Sequence, residues 1–159
     1  MSEATVRAAI KQVIESVSGY GVCHDYMRWS NDYATLLSMF KVKINGTDQI
    51  RGWSIFCEAV NSQWMSFGTI RKCLVTYHYR LRFIMALDDS VASEKTALAH
   101  VLAVADALDK SVTLHSSTYT VSEETTGLCQ VEFGWRLFGS VLCHEAQVVL
   151  DVQEIKDNG

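Results

Sequence analysis

Alternation between apolar and polar side chains is the strongest pattern in this sequence, and its longest run extends from Arg71 to Leu87. The odd positions of this run are almost all apolar or aromatic, whereas the even positions include Lys72, Thr76, His78, Arg80 and Arg82. A period of two is typical of a β-strand with one buried and one polar face. The run predicts a strand of roughly 50 Å at about 3.3 Å per residue, longer than most strands. Such a strand either bends between two sheets or reaches beyond the domain core.

Other segments have the composition or the alternation of shorter strands. Gly52 to Val60 is rich in aromatic and branched residues and predicts a strand, and the stretch from Asn61 to Gly68 predicts a loop after it. Towards the C-terminus we expect strands over Ser111 to Val121, Leu128 to Leu137 and Val141 to Glu154, with a turn at Ser122 to Gly127 and a bend at Phe138-Gly139. Short turns between these strands favour antiparallel pairing.

Helical spacing of apolar residues occurs in two segments before the strands. A first helix is predicted from Glu3 to Val17, where a single apolar stripe consists of Val6, Ile10, Val13, Ile14 and Val17. The glycines that follow it would end the helix. A shorter helix is predicted to start at a cap residue, Ser30 or Asn31, with an inward face of Tyr33, Leu36, Leu37 and Phe40.

The clearest helical pattern extends from Asp88 to Lys110. Its candidate caps are Asp89, Ser90 and Ser93, and acidic residues at its start complement the positive end of the helix dipole. That role also accounts for the adjacent acids Asp88 and Asp89 without a metal. The predicted buried face is Leu98, Val101, Leu102, Ala105 and Leu108, and His100 lies off it.

These elements together predict a single α+β domain spanning residues 1–159. Strands joined by short turns, with helices before and between them, are typical of a mostly antiparallel sheet with helices packed on one face. One long strand or hairpin would extend from this sheet toward neighbouring subunits. The chain, with 48% hydrophobic and 20% charged residues, has the composition of an ordinary folded domain. No apolar leader or run of roughly 20 apolar residues occurs, so we expect synthesis to end in a cytoplasm.

Charge is unevenly distributed along the chain. Residues 41–82 contain seven basic and two acidic side chains, a net charge of +5, whereas the whole chain has −4 and the remainder therefore −9. A basic segment is typical of a nucleic-acid surface, and also of a sheet face that meets acidic surfaces of partner chains. A dedicated nucleic-acid binder usually has a basic total, which favours the second interpretation.

No motif in the sequence names a reaction. The common phosphate, dinucleotide and hydrolase signatures are absent, and the five histidines and five cysteines are not spaced as metal ligands, so we expect no metal and no cofactor. The dipeptides Cys23-His24 and Cys143-His144 resemble a nucleophile beside its base. Neighbours in a strand point to opposite faces, however, so Cys143 is not activated by His144. We expect the cysteines to be reduced and buried.

Several side chains are candidates for contacts with partner chains. The tryptophans in or beside predicted loops, Trp29 and Trp64, favour an interface, and Trp53 and Trp135 are expected in the core or at an interface. Along the long strand the candidate interface residues are Arg71, Lys72, His78, Arg80 and Arg82. An alternative from another class is a small cytoplasmic enzyme with a cleft formed by His78, Cys73 and Cys57, in which one thiol would be unusually reactive. A DNA-binding module is a further alternative, and its affinity would fall steeply with salt.

Three phrases of the sequence resemble a known family. They are "IRGWSIFCEAV" (Ile50 to Val60), the long strand ending in "LDDSVASEKT" (Leu87 to Thr96), and "GSVLCHEAQVVLDV" (Gly139 to Val152), together with the opening "VRAAIKQVIESV" helix. This pattern is similar to that of the tail terminator or neck (head–tail junction) proteins of long-tailed bacteriophages and prophage particles. The resemblance covers nearly the whole chain.

The resemblance implies a structural virion protein rather than an enzyme. In that family an α+β domain assembles as a homohexameric ring that caps the tail tube and meets the head–tail connector or adaptor proteins, and the DNA passes through its hole without specific recognition. Carried over to this chain, it implies a virion location in the tail or neck and no contact with a membrane, and it implies that Cys143 packs in the core. A head-completion (head–tail joining) protein and a tail tube subunit are alternatives within the same machinery.

Overall fold

The fold is that of a computed structural model, which describes residues 3–67, 70–111, 120–121 and 129–157. The helices are α1 (Glu3–Ser16), α2 (Tyr33–Ser38) and α3 (Ser93–Lys110), and a short 3-10 helix (Asp89–Val91) precedes α3. The strands are β1 (Val22–His24), β2 (Lys41–Ile44), β3 (Thr47–Phe67), β4 (Ile70–Ala86), β5 (Thr120–Val121), β6 (Cys129–Phe138) and β7 (Val141–Asp157). None of the described helices is long and apolar enough to span a membrane.

The described strands form one sheet around β4. Its order is β1-β3-β4-β7-β5, with β2 paired to β3 and β6 paired to β7. Every pairing in this sheet is antiparallel except that of β1 with β3, which is parallel. The predicted α+β class with a mostly antiparallel sheet is therefore confirmed.

The long strand predicted from Arg71 to Leu87 is confirmed as β4. It does not lie at an edge, because β3 and β7 flank it over most of its length, and its pairing with β7 has no bulge. Its odd-numbered side chains from Cys73 to Met85 are buried. The strand that extends beyond the part of the sheet covered by the helices is instead β3. It has 21 residues and is exposed from Glu58 to Trp64.

The loop predicted from Asn61 to Gly68 is wrong where the structure describes it, since residues 61–67 continue β3. Asn61 lies opposite Thr76, and Trp64 lies opposite Cys73. Hydrogen bonds to β4 outweigh the weak strand propensity of the polar residues here, which is the usual effect of tertiary context. A register shift between Cys57 and Ala59 marks a β-bulge at Glu58, which increases the local twist of β3.

The sheet has two faces, which we name the helix face and the polar face. The helix face contains the odd-numbered side chains of β4, including Tyr79, Leu81 and Phe83, and the polar face contains the even-numbered His78, Arg80 and Arg82. Helices α1 and α3 cover the helix face. Their buried side chains join the sheet in the larger core, with Val6, Ile10, Ile14, Val101, Val104 and Leu108 from the helices and Trp53, Phe83, Val148 and Leu150 from the sheet.

The short helix α2 packs on the polar face, whereas the sequence predicted all helices on one face. A second, smaller core there consists of Leu36, Phe40, Ile84, Phe138 and Cys143. Ile84 explains this arrangement, because it is an apolar residue at an even position of β4 and needs cover on that face. Cys143 is fully buried, as the sequence predicted. Asp32, one residue after the predicted caps, caps α2 by accepting from the Thr35 N–H, and Tyr33 is exposed rather than inward-facing.

The start of α3 differs from the sequence-based prediction. Asp88 caps the 3-10 helix by accepting from the Ser90 N–H, and Ser93 does not cap α3 but accepts a hydrogen bond from the Asp88 N–H at 2.8 Å. The helix buries Ala97, His100, Val101, Val104, Ala105 and Leu108, whereas Leu98 and Leu102 are exposed. The predictions for Leu98, Leu102 and His100 are therefore wrong.

The buried stripe of α3 is centred on Val101 and Val104, with Ala97 and Leu108 towards its ends, and Leu98 and Leu102 lie outside it. Residues 112–119 and 122–128, which include most of the strand expected from Ser111 to Val121 and the turn after it, lie outside the described part of the chain.

Candidate assembly surfaces

The polar face brings three of the predicted interface residues into one row. His78, Arg80 and Arg82 follow one another at two-residue spacing along β4, and each is half-buried beside an acidic side chain of β3 or β7. His78 Nδ1 lies 2.6 Å from Asp151 Oδ1, and its Nε2 lies 2.9 Å from Asn61 Nδ2. Because the Asn61 amide nitrogen can only donate, Nε2 of His78 is the acceptor in that contact. The Nδ1–H group then donates a hydrogen bond to Asp151 Oδ1.

The two arginines of this row form ion pairs. Arg80 donates through Nε to Glu58 Oε1 at 2.6 Å and through Nη2 to Oε2 at 3.1 Å, and it also bonds to Gln147. The hydrogen bond to Glu58 raises the pKa of Arg80. Arg82 Nε lies 2.5 Å from Glu145 Oε1, an ion pair in which that N–H is not aligned with an acceptor. Arg136 of β6 approaches the same carboxylate at 3.3 Å.

The positive segment 41–82 is therefore not a continuous basic surface. Lys41, Arg80 and Arg82 pair with carboxylates, and Arg51 is buried. Lys72 lies further along the same polar face and is half-buried. Arg71 lies in β4 beside it, but its side chain is outside the described part of the chain.

The two predicted interface tryptophans are both exposed but lie on different surfaces. Trp29 is 77% exposed in the loop between β1 and α2. Its neighbours Met27 and Arg28 line a small cleft on the polar face together with Arg82 and Ile84. Trp64 is 65% exposed on the helix face of β3, opposite Cys73. The structure does not bring the two tryptophans together.

Sequence reasoning missed an apolar surface at the β6 side of the sheet. Trp135 is 75% exposed, and Leu137 and Leu142, which lie opposite each other on the helix face, are exposed as well. Leu98 and Leu102 of α3 are also exposed. Their helical spacing was the available signal, but the same spacing is usual for core residues, so it pointed to burial.

The enzyme alternative finds no assembled site among the described residues. Cys57 and Cys73 are on the helix face, six residues apart in register along β4, whereas His78 is on the polar face. Burial raises the pKa of the Cys57 thiol, and it raises the pKa of Cys23 to about 12 and of Cys143 to about 11. These three thiols stay protonated at neutral pH and are poor nucleophiles. No cluster of three potential metal ligands occurs in the described ranges either.

A buried polar cluster lies beneath α3 and beside the end of α1. The indole nitrogen of Trp53 donates to His100 Nε2 at 3.1 Å. Burial, together with the positive charge of Arg51, lowers the pKa of His100 to about 4, against the opposing effect of its hydrogen bond to the backbone of Ser18. The Arg51 guanidinium packs beside Gly19, just after α1, where the negative end of the helix dipole favours a cation. This cluster stabilises the fold and is closed to a substrate.

Similarity to known proteins gives no assignment for this chain. No protein-family model matches it, and neither does any curated protein. The exposed side chains of β3, β6, α3 and the Trp29 loop are therefore the features on which a functional proposal can be based.

Proposed function

We propose that this chain is a structural subunit of a long-tailed bacteriophage or prophage particle, and that it forms a ring that terminates the tail tube and joins it to the head connector. The exposed half of β3 supports this most directly. Residues from Ala59 to Trp64 are exposed, yet they stay in register with the buried strand β4. An ordered strand that its own domain leaves uncovered is suited to packing against other subunits.

Three further observations favour an assembly role over catalysis or nucleic-acid binding. Large apolar side chains are exposed on several surfaces, at Trp29, Trp64 and Trp135, and exposed aromatic residues are common interface anchors. The side chains considered for an enzyme site lie apart. A ring through which a genome passes must also not hold it tightly, and Arg80 and Arg82 are paired with carboxylates rather than offered to phosphates.

Electron microscopy of the purified chain, alone and mixed with isolated tail tubes, tests this function. We expect rings of one size from the chain alone and a single ring at one end of each tube in the mixture. Density repeated along the tube would instead assign a tube subunit, and attachment to the head portal without a tube would assign a head-completion protein. A monomer that binds neither would contradict the proposal.

The Trp29 loop provides a variant for the tube or connector contact. Because Trp29 is 77% exposed and lies in a loop outside the strands of the sheet, Trp29→Lys should fold and form rings like the natural chain. We expect it to weaken end-on attachment at least about tenfold, since removal of an aromatic anchor typically costs 1–2 kcal/mol or more. Counting capped tubes at several ring concentrations measures this, and unchanged capping would exclude Trp29 from the contact.

A further inference from the structure

The sheet ends on both sides in strands whose outer backbone edge is unpaired among the described residues. On one side, β6 bonds to β7 alone over residues 129–138. On the other side, β1 and β2 cover β3 only up to Ser54, so that the stretch from Phe56 to Phe67 bonds to β4 alone. An unpaired edge of this length is a template for another strand unless it is blocked.

The exposed apolar side chains of both edges lie on the same face of the sheet. At the β6 edge, Trp135 and Leu137 are on the helix face, since they oppose His144 and Leu142. At the β3 edge, Val60 and Trp64 are also on the helix face, opposite Tyr77 and Cys73. Two edges joined in one continuous sheet would therefore bring these apolar side chains into contact.

Helix α3 adds to the apolar surface at the β6 edge. Asp109, on the same side of the helix as Leu98 and Leu102, interacts with the thiol of Cys129 at the start of β6. The two exposed leucines therefore lie on the side of α3 that is nearer to β6. A strand added beside β6 would meet both the backbone edge and this side of α3.

Strand direction favours a second copy of the same chain as the partner. Strand β4 is antiparallel to β3 and to β7, and β7 is antiparallel to β6, so β3 and β6 run in opposite directions. A copy placed beside the first by continuing the sheet therefore presents its β3 antiparallel to β6, with its helices on the same face. Antiparallel pairing is the more stable arrangement.

We propose that β6 of one copy pairs with the exposed half of β3 of the next copy, head to tail, as the contact between neighbours in the assembly. This inference rests on the proposed function in that it specifies the subunit contact of the ring. In the register with the largest overlap between the two edges, Trp135 and Val131 of one copy lie opposite Val60 and Trp64 of the next copy. Trp64 then packs against the exposed leucines of α3. All of these side chains are on the helix face.

The offset between copies in this register is compatible with a closed ring. Within one copy Phe133 is level with Trp53, through Ala146 and Phe83. Pairing with Ser62 of the next copy shifts that copy by about eight residues, or about 26 Å at 3.3 Å per residue. Over four strands, roughly 19 Å wide, this inclines the strands by about 50–55°, about 10° more than the 35–45° typical of closed barrels.

Two single variants and their mixture test the contact. Trp135→Lys disrupts only the β6 side of the contact, and Trp64→Lys disrupts only the β3 side. Both side chains are exposed in the single chain, so both variants should fold. We expect each alone to lose self-association at least tenfold in analytical ultracentrifugation. Mixed together they should form a one-to-one dimer and nothing larger. The unaltered β6 edge of Trp64→Lys can pair with the unaltered β3 edge of Trp135→Lys, and the two remaining edges are both disrupted. Trp29→Lys is the matched control and should associate like the natural chain.

A cross-link tests the register. Glu132 and Gln63, both on the polar face, oppose each other in the proposed pairing, so a chain with Glu132→Cys and Gln63→Cys should form disulfide-linked oligomers under mild oxidation. The combination of Glu132→Cys with Gln49→Cys, in the half of β3 that β2 covers, should not.

Several results would overturn the contact. The first is that Trp64→Lys associates as strongly as the natural chain. The second is that the mixture of the two variants stays monomeric. The third is that the natural chain is monomeric at about 100 μM while the amides at its β6 edge are protected from hydrogen exchange, which would mean that its own residues cover that edge. The outcomes separate this inference from the proposed function. If Trp64→Lys still forms rings that cap tubes, the contact is wrong and the function stands. If the chain assembles through these edges but the particle binds no tube, the contact stands and the function is wrong.

Discussion

His100 shows how one buried histidine links the stability of this fold to pH. It is 6% exposed, accepts from the Trp53 indole, and faces the positive charge of Arg51 across the cluster. Burial above all lowers its pKa to about 4. The sequence could not indicate this, because His100 lies off the apolar stripe that was predicted to be the buried side of α3. Only the packing of Trp53 beneath the helix makes a histidine the matching partner there.

The His100 cluster predicts acid sensitivity. The folded pKa of about 4 is below the ordinary 6.5, so stability is complete above about pH 6.5 and is lost as the pH falls towards 4, when the unfolded chain takes up the proton first. The loss is on the order of 3 kcal/mol. His100→Gln keeps a donor and an acceptor but does not titrate. Urea unfolding at pH 7 and 4.5 should show a smaller loss in this variant, and equal losses would contradict the assignment.

At the scale of elements, alternation predicted β4, β6 and β7 because these strands each have one apolar and one polar face. The pattern did not predict β1 or β2, which are short and depend on pairing with β3. It also missed the second half of β3, where polar residues such as Asn61 and Gln63 are in a strand because β4 lies beside them. The position of α2 on the polar face likewise depends on Ile84, one of the few apolar residues at even positions of β4.

Helix α3 gives a direct test of which leucines are buried. Leu108 is fully buried in the larger core, whereas Leu102 is about half exposed. Leu108→Ala should lower the free energy of unfolding by about 2–5 kcal/mol, since it removes buried methyl groups and leaves a cavity. Leu102→Ala should change it by no more than about 0.5 kcal/mol in the monomer. Urea unfolding at low protein concentration measures both, and a similar cost for the two would mean that the sequence-based assignment of the stripe was right.

At the scale of the whole molecule, two cores on opposite faces hold one sheet. The larger core under α1 and α3 and the smaller core under α2 meet across the sheet at neighbouring residues of β4, Met85 and Ile84. The polar face between α2 and the far end of β3 contains the ion pairs of Arg80 and Arg82, together with apolar side chains such as Leu74 and Val149. The candidate interface residues of the polar face could be predicted from the sequence. Their acidic partners on β3 and β7 depend on the register of the strands, which the sequence does not specify.

Salt should therefore have little effect on the stability of the single chain. The Arg80–Glu58 pair is partly exposed, and pairs of that kind contribute about 0–1 kcal/mol, whereas the Arg82–Glu145 pair is more buried and is therefore screened less by salt. Raising sodium chloride from about 0.05 M to 1 M should change the free energy of unfolding by less than about 1 kcal/mol. Urea unfolding at the two salt concentrations measures this. A loss of several kcal/mol would mean that these pairs, and not the two cores, hold the sheet together.

The long hydrogen-bonded ladder between β3 and β4 has a mechanical consequence. The pairing continues from Arg51 to Phe67, well past the residues that the helices cover. A force applied along the strand direction to the exposed half of β3 loads many of these hydrogen bonds in shear at the same time. A force applied at right angles to the strand would break them one after another. The strand is thus stiff in tension along its length and yields most easily when it is peeled sideways.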